Sequence, residues 1–351
     1  MKNFNYFNPV KIHFGINYLE ALNTLNLEEV LIISSKSFAK RGIIKNIEKI
    51  MSNRIIEVID SITPNPQLDF LLNLKNKIRN FKNIIAIGGG SVMDSAKFLS
   101  VDKVQISKSD DLVVENNSFF KPIFAFPTTS GTSSELTKWA TIWDRNNLIK
   151  YSLSHENLYP KCAFYDPYLM LTMPKNLTIE SSLDALSHAF ESIWNRNKNP
   201  ISTNYALNAI KLIIDNLPKV VENLDSIHIR NKIILSSIYA GLAFSNTQTA
   251  IAHAISYPLT MKFGIPHGIA CSFSLPIILE CIEDNDDEKF LLDYRSKVYE
   301  LFKKMEISIN PRDYNLDVKL INEIFNSLNS RAKNSTLDSN KIKNKLLENL
   351  N

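Results

Sequence analysis

The sequence predicts a two-part chain: an α/β part built on a parallel sheet over residues 1–174, then an all-α part over residues 175–351. Three observations carry this. Short β-branched runs at 30–34, 55–58, 84–87 and 122–126 alternate with polar, helix-like segments, the pattern of a parallel sheet flanked by helices. Two of these runs, Val30-Leu31-Ile32-Ile33 and Ile84-Ile85-Ala86-Ile87, are apolar on both faces, as strands covered from both sides must be. After about Pro174 the pattern changes to helical period, predicting helices over 178–194, 203–215, 229–244 and 316–332. Asn216-Leu217-Pro218 predicts the end of the second helix, and Gly264-Ile265-Pro266-His267-Gly268 a tight loop.

Composition narrows the function classes. At 351 residues, 44% of them hydrophobic, the chain can bury a large core. Its three cysteines, Cys162, Cys271 and Cys281, have no CxxC spacing and read as buried structural thiols in a reducing cytoplasm. No stretch approaches the roughly 18 apolar residues of a membrane span, and the N-terminus lacks the apolar run of a signal peptide. A net charge of +4, from 40 basic residues scattered among 36 acidic ones, gives nucleic-acid binding no support. The expectation is a soluble cytoplasmic protein acting on a small molecule, away from nucleic acid and membrane, for which a homodimer is one allowed assembly.

Two polar loops follow strands. Gly88-Gly89-Gly90-Ser91 comes directly after the run at 84–87 and leads into helical sequence that carries Asp94. Three glycines let backbone approach a ligand closely, and free N–H groups at a helix start receive phosphate oxygens. The spacing is not GxGxxG, so that fingerprint is absent; a tight turn with no ligand is the plain alternative. The second loop, 127–135, supplies Thr128, Thr129 and Thr132 and could complete a dinucleotide cradle at the carboxyl ends of strands.

A second constellation lies in the helical part. Asp184 and His188, four residues apart, share one helix face. His253 and His267 follow, fourteen residues apart and both in apolar surroundings. Each has an ordinary explanation alone, as a surface hydrogen bond, a core histidine or a turn residue. Together they form one carboxylate and three imidazoles, a set suited to iron(II) or zinc.

These motifs resemble those of the iron-containing, group III alcohol dehydrogenases, relatives of glycerol dehydrogenase and dehydroquinate synthase. The resembling elements are GGGSVMDSAK (88–97), PTTSGTSSE (127–135), DALSH (184–188) and the His253/PHG pair, in family order. The resemblance implies an N-terminal dinucleotide-binding domain, a C-terminal metal-binding domain with the ion in the cleft between them, and Asp184, His188, His253 and His267 as ligands. It implies that Gly88, Gly89, Gly90, Ser91 and Asp94 face a pyrophosphate, that Thr128, Thr129 and Thr132 approach the cofactor, and that Lys150 contacts its ribose. The chemistry implied is metal-assisted hydride transfer between NADH or NADPH and a small aldehyde or alcohol. A dehydroquinate synthase-type lyase is the rival, disfavoured because a glutamate is expected there at the Asp184 position.

The chain departs from the family pattern twice. Many members carry a histidine four residues after the one at His253, where this chain has Tyr257. His267 and Tyr257 are then the catalytic candidates, with Tyr257, water or ribose hydroxyls carrying the proton. NAD-preferring members often place an Asp where this chain has Ser35, and Lys36, Lys40 and Arg41 lie nearby, so NADPH is expected to be accepted. Segments 6–10, 143–144, 150–153, 191–197 and 255–260 are most similar to the phosphonoacetaldehyde reductase branch, which implies phosphonoacetaldehyde as substrate and 2-hydroxyethylphosphonate as product. Arg196 and Lys262, each near a ligand segment, are the candidate anion-binding residues.

Overall fold

The computed structural model describes residues 3–107, 111–284, 286–328 and 331–350. It divides into two compact units. One comprises Asn8–Thr129 and Ser133–Met170; the other comprises the described residues of Met1–Phe7, Ser130–Thr132 and Leu171–Asn351. Two short segments therefore belong with the helices, against the simple division at 174. The first is tied there by Tyr6, whose hydroxyl donates to the Leu242 carbonyl at 3.1 Å, and by the Phe7 N–H, which donates to Asn246 Oδ1 at 2.8 Å. The second is held through Gly131, which lies so close to Ser181 that an added Cβ would stand 2.7 Å from it.

In the first unit, a six-stranded sheet runs β1 (Lys11–Phe14), β10 (Cys162–Tyr165), β7 (Ile123–Pro127), β4 (Asn83–Gly88), β2 (Val30–Ile33), β3 (Ile55–Ile59), with every pair parallel. Strands β2, β4 and β7 are buried along almost their whole length, which is why their sequences lack polar alternation. The chain steps from β2 outward to β3 and returns on the other side of β2 as β4. That reversal is the place where open parallel sheets bind ligands beyond the strand ends. A second sheet, β5 (Val104–Ile106), β6 (Leu112–Val114), β9 (Ile149–Ser154) and β8 (Trp139–Asp144), was not predicted. Its strands are short or joined by a hairpin, and give only a weak period-2 signal.

The second unit is helical. Helix α2 (Lys175–Ile193) packs with α3 (Pro200–Glu222) and α4 (Ile227–Thr247) around fully buried Leu183, Leu186, Phe190, Ala209, Ile210, Ile213 and Ile233. In the first unit, helix α1 (Gly90–Ser100) follows β4. Asn199 starts α3 with a capping box, its side chain accepting from the N–H groups of Ile201 and Ser202 while Ser202 Oγ accepts from the Asn199 N–H.

Two expected boundaries are corrected. Helix α3 runs through Pro218 to Glu222 because Leu217 and Val220, on either side of the proline, are both fully buried and their packing outweighs one missing hydrogen bond. The helix expected over 316–332 is Val318–Asn326 only. Beyond it Arg196 N–H donates to the Asn334 carbonyl and Thr336 N–H to that of Trp194, drawing the chain around Ser335 into an extended bridge. Residues 329 and 330 of that prediction lie outside the described residues. Among the described residues no helix is long and apolar enough to cross a membrane.

Candidate functional site

In the sheet unit, the cofactor candidates gather at the ends of adjacent strands. Gly88 closes β4 and Gly89 is the N-cap of α1. A Cβ on Gly88 would meet Val92 at 2.4 Å and one on Gly89 would meet Thr129 Oγ1 at 3.0 Å, so the turn can be this tight only with glycine. Thr128 N–H donates to the Gly88 carbonyl at 3.1 Å, joining the β4 and β7 loops. The N–H groups of Gly90 and Ser91, the first two of α1, have no acceptor within the helix by its geometry, whereas those of Val92 and Met93 donate to the Gly89 carbonyl. Ser35 sits at the end of β2 as the N-cap of a short helix, Lys36–Lys40, while its neighbour Ser34 donates Oγ–H to the Ile87 carbonyl at 2.9 Å. Ser35, Gly88 to Ser91, Thr128 and Thr129 thus converge at the reversal of strand order. Thr132 is counted with the helical unit.

Asp94 is held by the protein. Its Oδ1 accepts from Ser134 Oγ at 2.7 Å and its Oδ2 from the Thr141 N–H at 3.0 Å, so both oxygens serve the protein. Lys150, on β9 opposite Trp143, contributes favourable charge to that carboxylate. Beneath lies a residue the sequence reading passed over. Lys97 is fully buried, and its ammonium donates to the Ser134 carbonyl and Oγ, to Thr137 Oγ1 and to the Trp139 carbonyl at 2.6 to 3.0 Å. Burial lowers its pKa to about 8, partly opposed by the charges of Asp94 and Glu135. Burial also raises Glu135, whose Oε1 accepts from the Tyr165 hydroxyl. A lysine inside the apolar stretch Ala96-Lys97-Phe98-Leu99 was the available signal.

In the helical unit, the four ligand candidates come together. Helix α2 carries Asp184 and His188 on one face, α5 (Ile251–Phe263) carries His253, and α6 (His267–Ser272) begins with His267. Asp184 Oδ1 lies 3.8 Å from His188 Nε2, 3.5 Å from His253 Nε2 and 3.9 Å from His267 Nε2. These are too long for ordinary hydrogen bonds. They are close to the roughly 3.4 Å between ligand atoms of a tetrahedral ion with bonds of about 2.1 Å. Among the described residues the buried Nε2 of His253 has no hydrogen-bond partner, an orphan that a cation would satisfy. The donor set therefore fits a divalent transition metal, with Asp184, His253 and His267 in the tighter group and His188 approaching it at Asp184 Oδ1.

Packing explains the convergence. Gly268 lets α6 lie on α2 so closely that a Cβ would stand 1.9 Å from the Glu180 carbonyl oxygen, which brings His267 to Asp184. His188 stacks on Phe244 at 4.0 Å and on His253 at 4.6 Å between ring centroids. Asp184, His188 and His253 are buried, whereas the His267 side chain keeps 31% of its exposure. Burial alone would raise Asp184, but the surrounding imidazoles outweigh it and hold the carboxyl below its usual range. Burial lowers His188 to about 4. His253 is opposed by burial yet raised to about 10, chiefly by Glu191.

Two neighbours of this cluster were missed as functional. Glu191 is wholly buried and its Oε2 lies 2.5 Å from His253 Nδ1. Its place seven residues after Asp184, on the same helix face, was the legible signal. Cys271, read as structural, directs Sγ to Asp184 Oδ1 at 3.4 Å and groups with Asp184, His253 and His267, all ligand atoms within 4.8 Å. Tyr257 lies one turn beyond His253 on α5, half-buried. Arg196 and Lys262 are both exposed, Arg196 with Nε toward the Ser335 carbonyl and Lys262 paired with Glu323 at 3.7 Å.

Comparison with known proteins gives concordant matches. Residues 9–167 match the family profile described as iron-containing alcohol dehydrogenase, and residues 178–344 that of the Fe-containing alcohol dehydrogenase family, C-terminal. The 1-propanol dehydrogenase of Salmonella typhimurium is 30% identical, over 77% of this chain and 71% of that protein. The aldehyde-alcohol dehydrogenase of Streptococcus pneumoniae serotype 4 is 28% identical over 89% of this chain, which spans only 41% of that longer protein. The fold is shared with the sulfoacetaldehyde reductase of Bifidobacterium kashiwanohense, solved in complex with NAD+, at a TM-score of 0.88 and 24% identity, covering 100% of this chain and 99% of that one.

Proposed function

The chain belongs to the iron-containing alcohol dehydrogenase family, and from that premise we propose that it is a metal-dependent, NAD(P)H-linked reductase of small aldehydes, with phosphonoacetaldehyde as its substrate and 2-hydroxyethylphosphonate as its product. The observation that carries the reading is the placement of three imidazole nitrogens 3.5 to 3.9 Å from one buried carboxylate oxygen.

Asp184, His188, His253 and His267 would hold the ion, iron(II) or zinc. The ion supplies Lewis-acid polarisation of a carbonyl and the reduced nicotinamide supplies hydride. His267, the imidazole with solvent contact, marks the side from which a small substrate enters. Tyr257 stands one helical turn from His253, where its hydroxyl can hold or pass a proton. Gly88 to Ser91, Thr128 and Thr129 receive the cofactor's phosphates through backbone and hydroxyl donors. Ser35 brings no carboxylate against a 2′-phosphate, and Lys36, Lys40 and Arg41 add positive charge, which supports use of NADPH beside NADH.

The narrower substrate assignment rests on the segments 6–10, 143–144, 150–153, 191–197 and 255–260. The test is loss of reduced-nicotinamide absorbance with purified protein, Fe(II) or Zn(II), and either phosphonoacetaldehyde, propanal or succinic semialdehyde. Fastest turnover of phosphonoacetaldehyde is expected. Faster turnover of propanal would overturn the substrate while leaving the reductase, and no metal-dependent turnover of any of the three would overturn both.

A further inference from the structure

We infer that Glu191 is a positioning residue that fixes the tautomer and aim of His253, so that Nε2 presents its lone pair to the ion. The inference rests on the reading of His253 as a metal ligand. Its basis is how the Glu191 carboxylate divides its work. Oε1 accepts from the backbone N–H groups of Ala252 and His253, at 2.6 and 3.1 Å, and Oε2 meets His253 Nδ1 at 2.5 Å.

The backbone half of this arrangement has a local cause. Helix α5 begins after Ala250, whose side chain has no acceptor, so its first-turn donors are left for another element to satisfy. Glu191, reaching across from α2, supplies the cap from outside the helix. The same carboxylate thereby locks the backbone and the ring of His253 as one body.

The ring half decides the chemistry. Carboxylates only accept, so the short contact at Nδ1 places an N–H there. In the neutral imidazole the lone pair then falls on Nε2, which points at Asp184 Oδ1, another acceptor, 3.5 Å away. These two acceptors need a cation between them, which is a second ring proton in the metal-free chain and the ion in the loaded one. Carboxylate on Nδ1 and metal on Nε2 is the arrangement in which the second carboxylate orients the ligand ring. With Asp184, Glu191 also supplies two negative charges to balance a divalent ion in a buried site.

Glu191→Gln separates the two roles. The amide oxygen can still accept from Ala252 and His253 N–H, but the amide NH2 replaces Oε2 and donates toward Nδ1, driving the ring proton to Nε2 and blocking the lone pair. Zinc affinity, read by competition with a chromophoric chelator, is expected to fall roughly 10- to 100-fold, while the metal-free protein melts close to wild type. In a His253→Ala background the same substitution should change zinc affinity no further. If Glu191→Gln lowers the metal-free melting temperature, Ala250→Ser is added to restore a local cap. A zinc deficit that persists supports the positioning role, and one that the cap repairs overturns it. Wild-type zinc affinity in Glu191→Gln also overturns it, leaving the metal reading intact. Failure of the wild-type protein to bind zinc stoichiometrically would sink that underlying reading instead.

Discussion

Each unit buries one polar cluster, and the two differ in how they are closed. In the sheet unit, Lys97 is surrounded by four protein acceptors, Asp94 has a donor on each oxygen, and Glu135 holds the Tyr165 hydroxyl. In the helical unit, three imidazoles crowd one carboxylate at distances that suit no hydrogen bond, and the inward nitrogen of His253 has no hydrogen-bond partner among the described residues. A buried polar network completed by protein atoms is a structural device. One left incomplete at a shared focus is arranged for something else, since an unsatisfied buried group is costly. The contrast teaches which cluster to empty and which to leave alone.

Substitutions should separate the two. Asp184→Ala removes the oxygen common to all three imidazoles, and kcat/KM is expected to fall at least about 10³-fold, or ~4 kcal/mol of transition-state stabilisation. The metal-free protein should also lose melting temperature, because a carboxylate held below its usual range by the imidazoles stabilises the folded chain, so the metal-binding assay carries the contrast. Parallel activity and chelator assays check this; retained metal binding would erase the contrast. Lys97→Met should leave the metal site alone, costing about 3–5 kcal/mol of stability by leaving buried carboxylates uncompensated, with zinc affinity unchanged. The pH dependence adds a signature. With a folded pKa of about 8 against an ordinary 10.5, the unfolded chain holds more protons between those values. Stability of the wild type relative to Lys97→Met should therefore rise across that window, as urea titrations at several pH values would reveal.

Gly268→Ala sharpens the comparison from the packing side. The new methyl would fall on the Glu180 carbonyl, forcing α6 away from α2 at a cost of about 1–3 kcal/mol. Because His267 begins α6, metal affinity should drop together with melting temperature. Stability lost without affinity would mean that His267 is not held by this contact.

Much of this was legible in the sequence, for identifiable reasons. The strands β2 and β4 announced themselves because burial on both faces leaves no polar positions. Asp184 and His188 were readable because a helix converts a spacing of four into a shared face, and His267 because Pro266 and Gly268 frame it. What was hidden depends on contacts between distant segments. Lys97 looks like an ordinary helix lysine until the 134–139 backbone folds over it. Glu191 pairs with a histidine 62 positions away. Cys271 is an unremarkable apolar-segment thiol until α6 lies on α2. Pro218 misled because a local helix-breaking tendency was outweighed by two buried neighbours, Leu217 and Val220.

The smallest expected effect tests where the polar chemistry stops. Lys262 lies five residues before His267, and its position in sequence invites a role in gripping an anionic substrate. Its ammonium is instead exposed and sits 3.7 Å from Glu323, with both side chains about half accessible. Such a pair, screened by water, contributes less than about 1 kcal/mol. Lys262→Met is expected to leave the KM for phosphonoacetaldehyde within about twofold, equivalent to ~0.4 kcal/mol, and to leave melting almost unchanged. Steady-state kinetics at low and moderate salt make the check, since a real role for this charge would weaken as salt is added. A salt-sensitive rise in KM would show that Lys262 leaves Glu323 when substrate arrives, and the boundary of the functional cluster would have to be drawn at the last turn of α5 to include it.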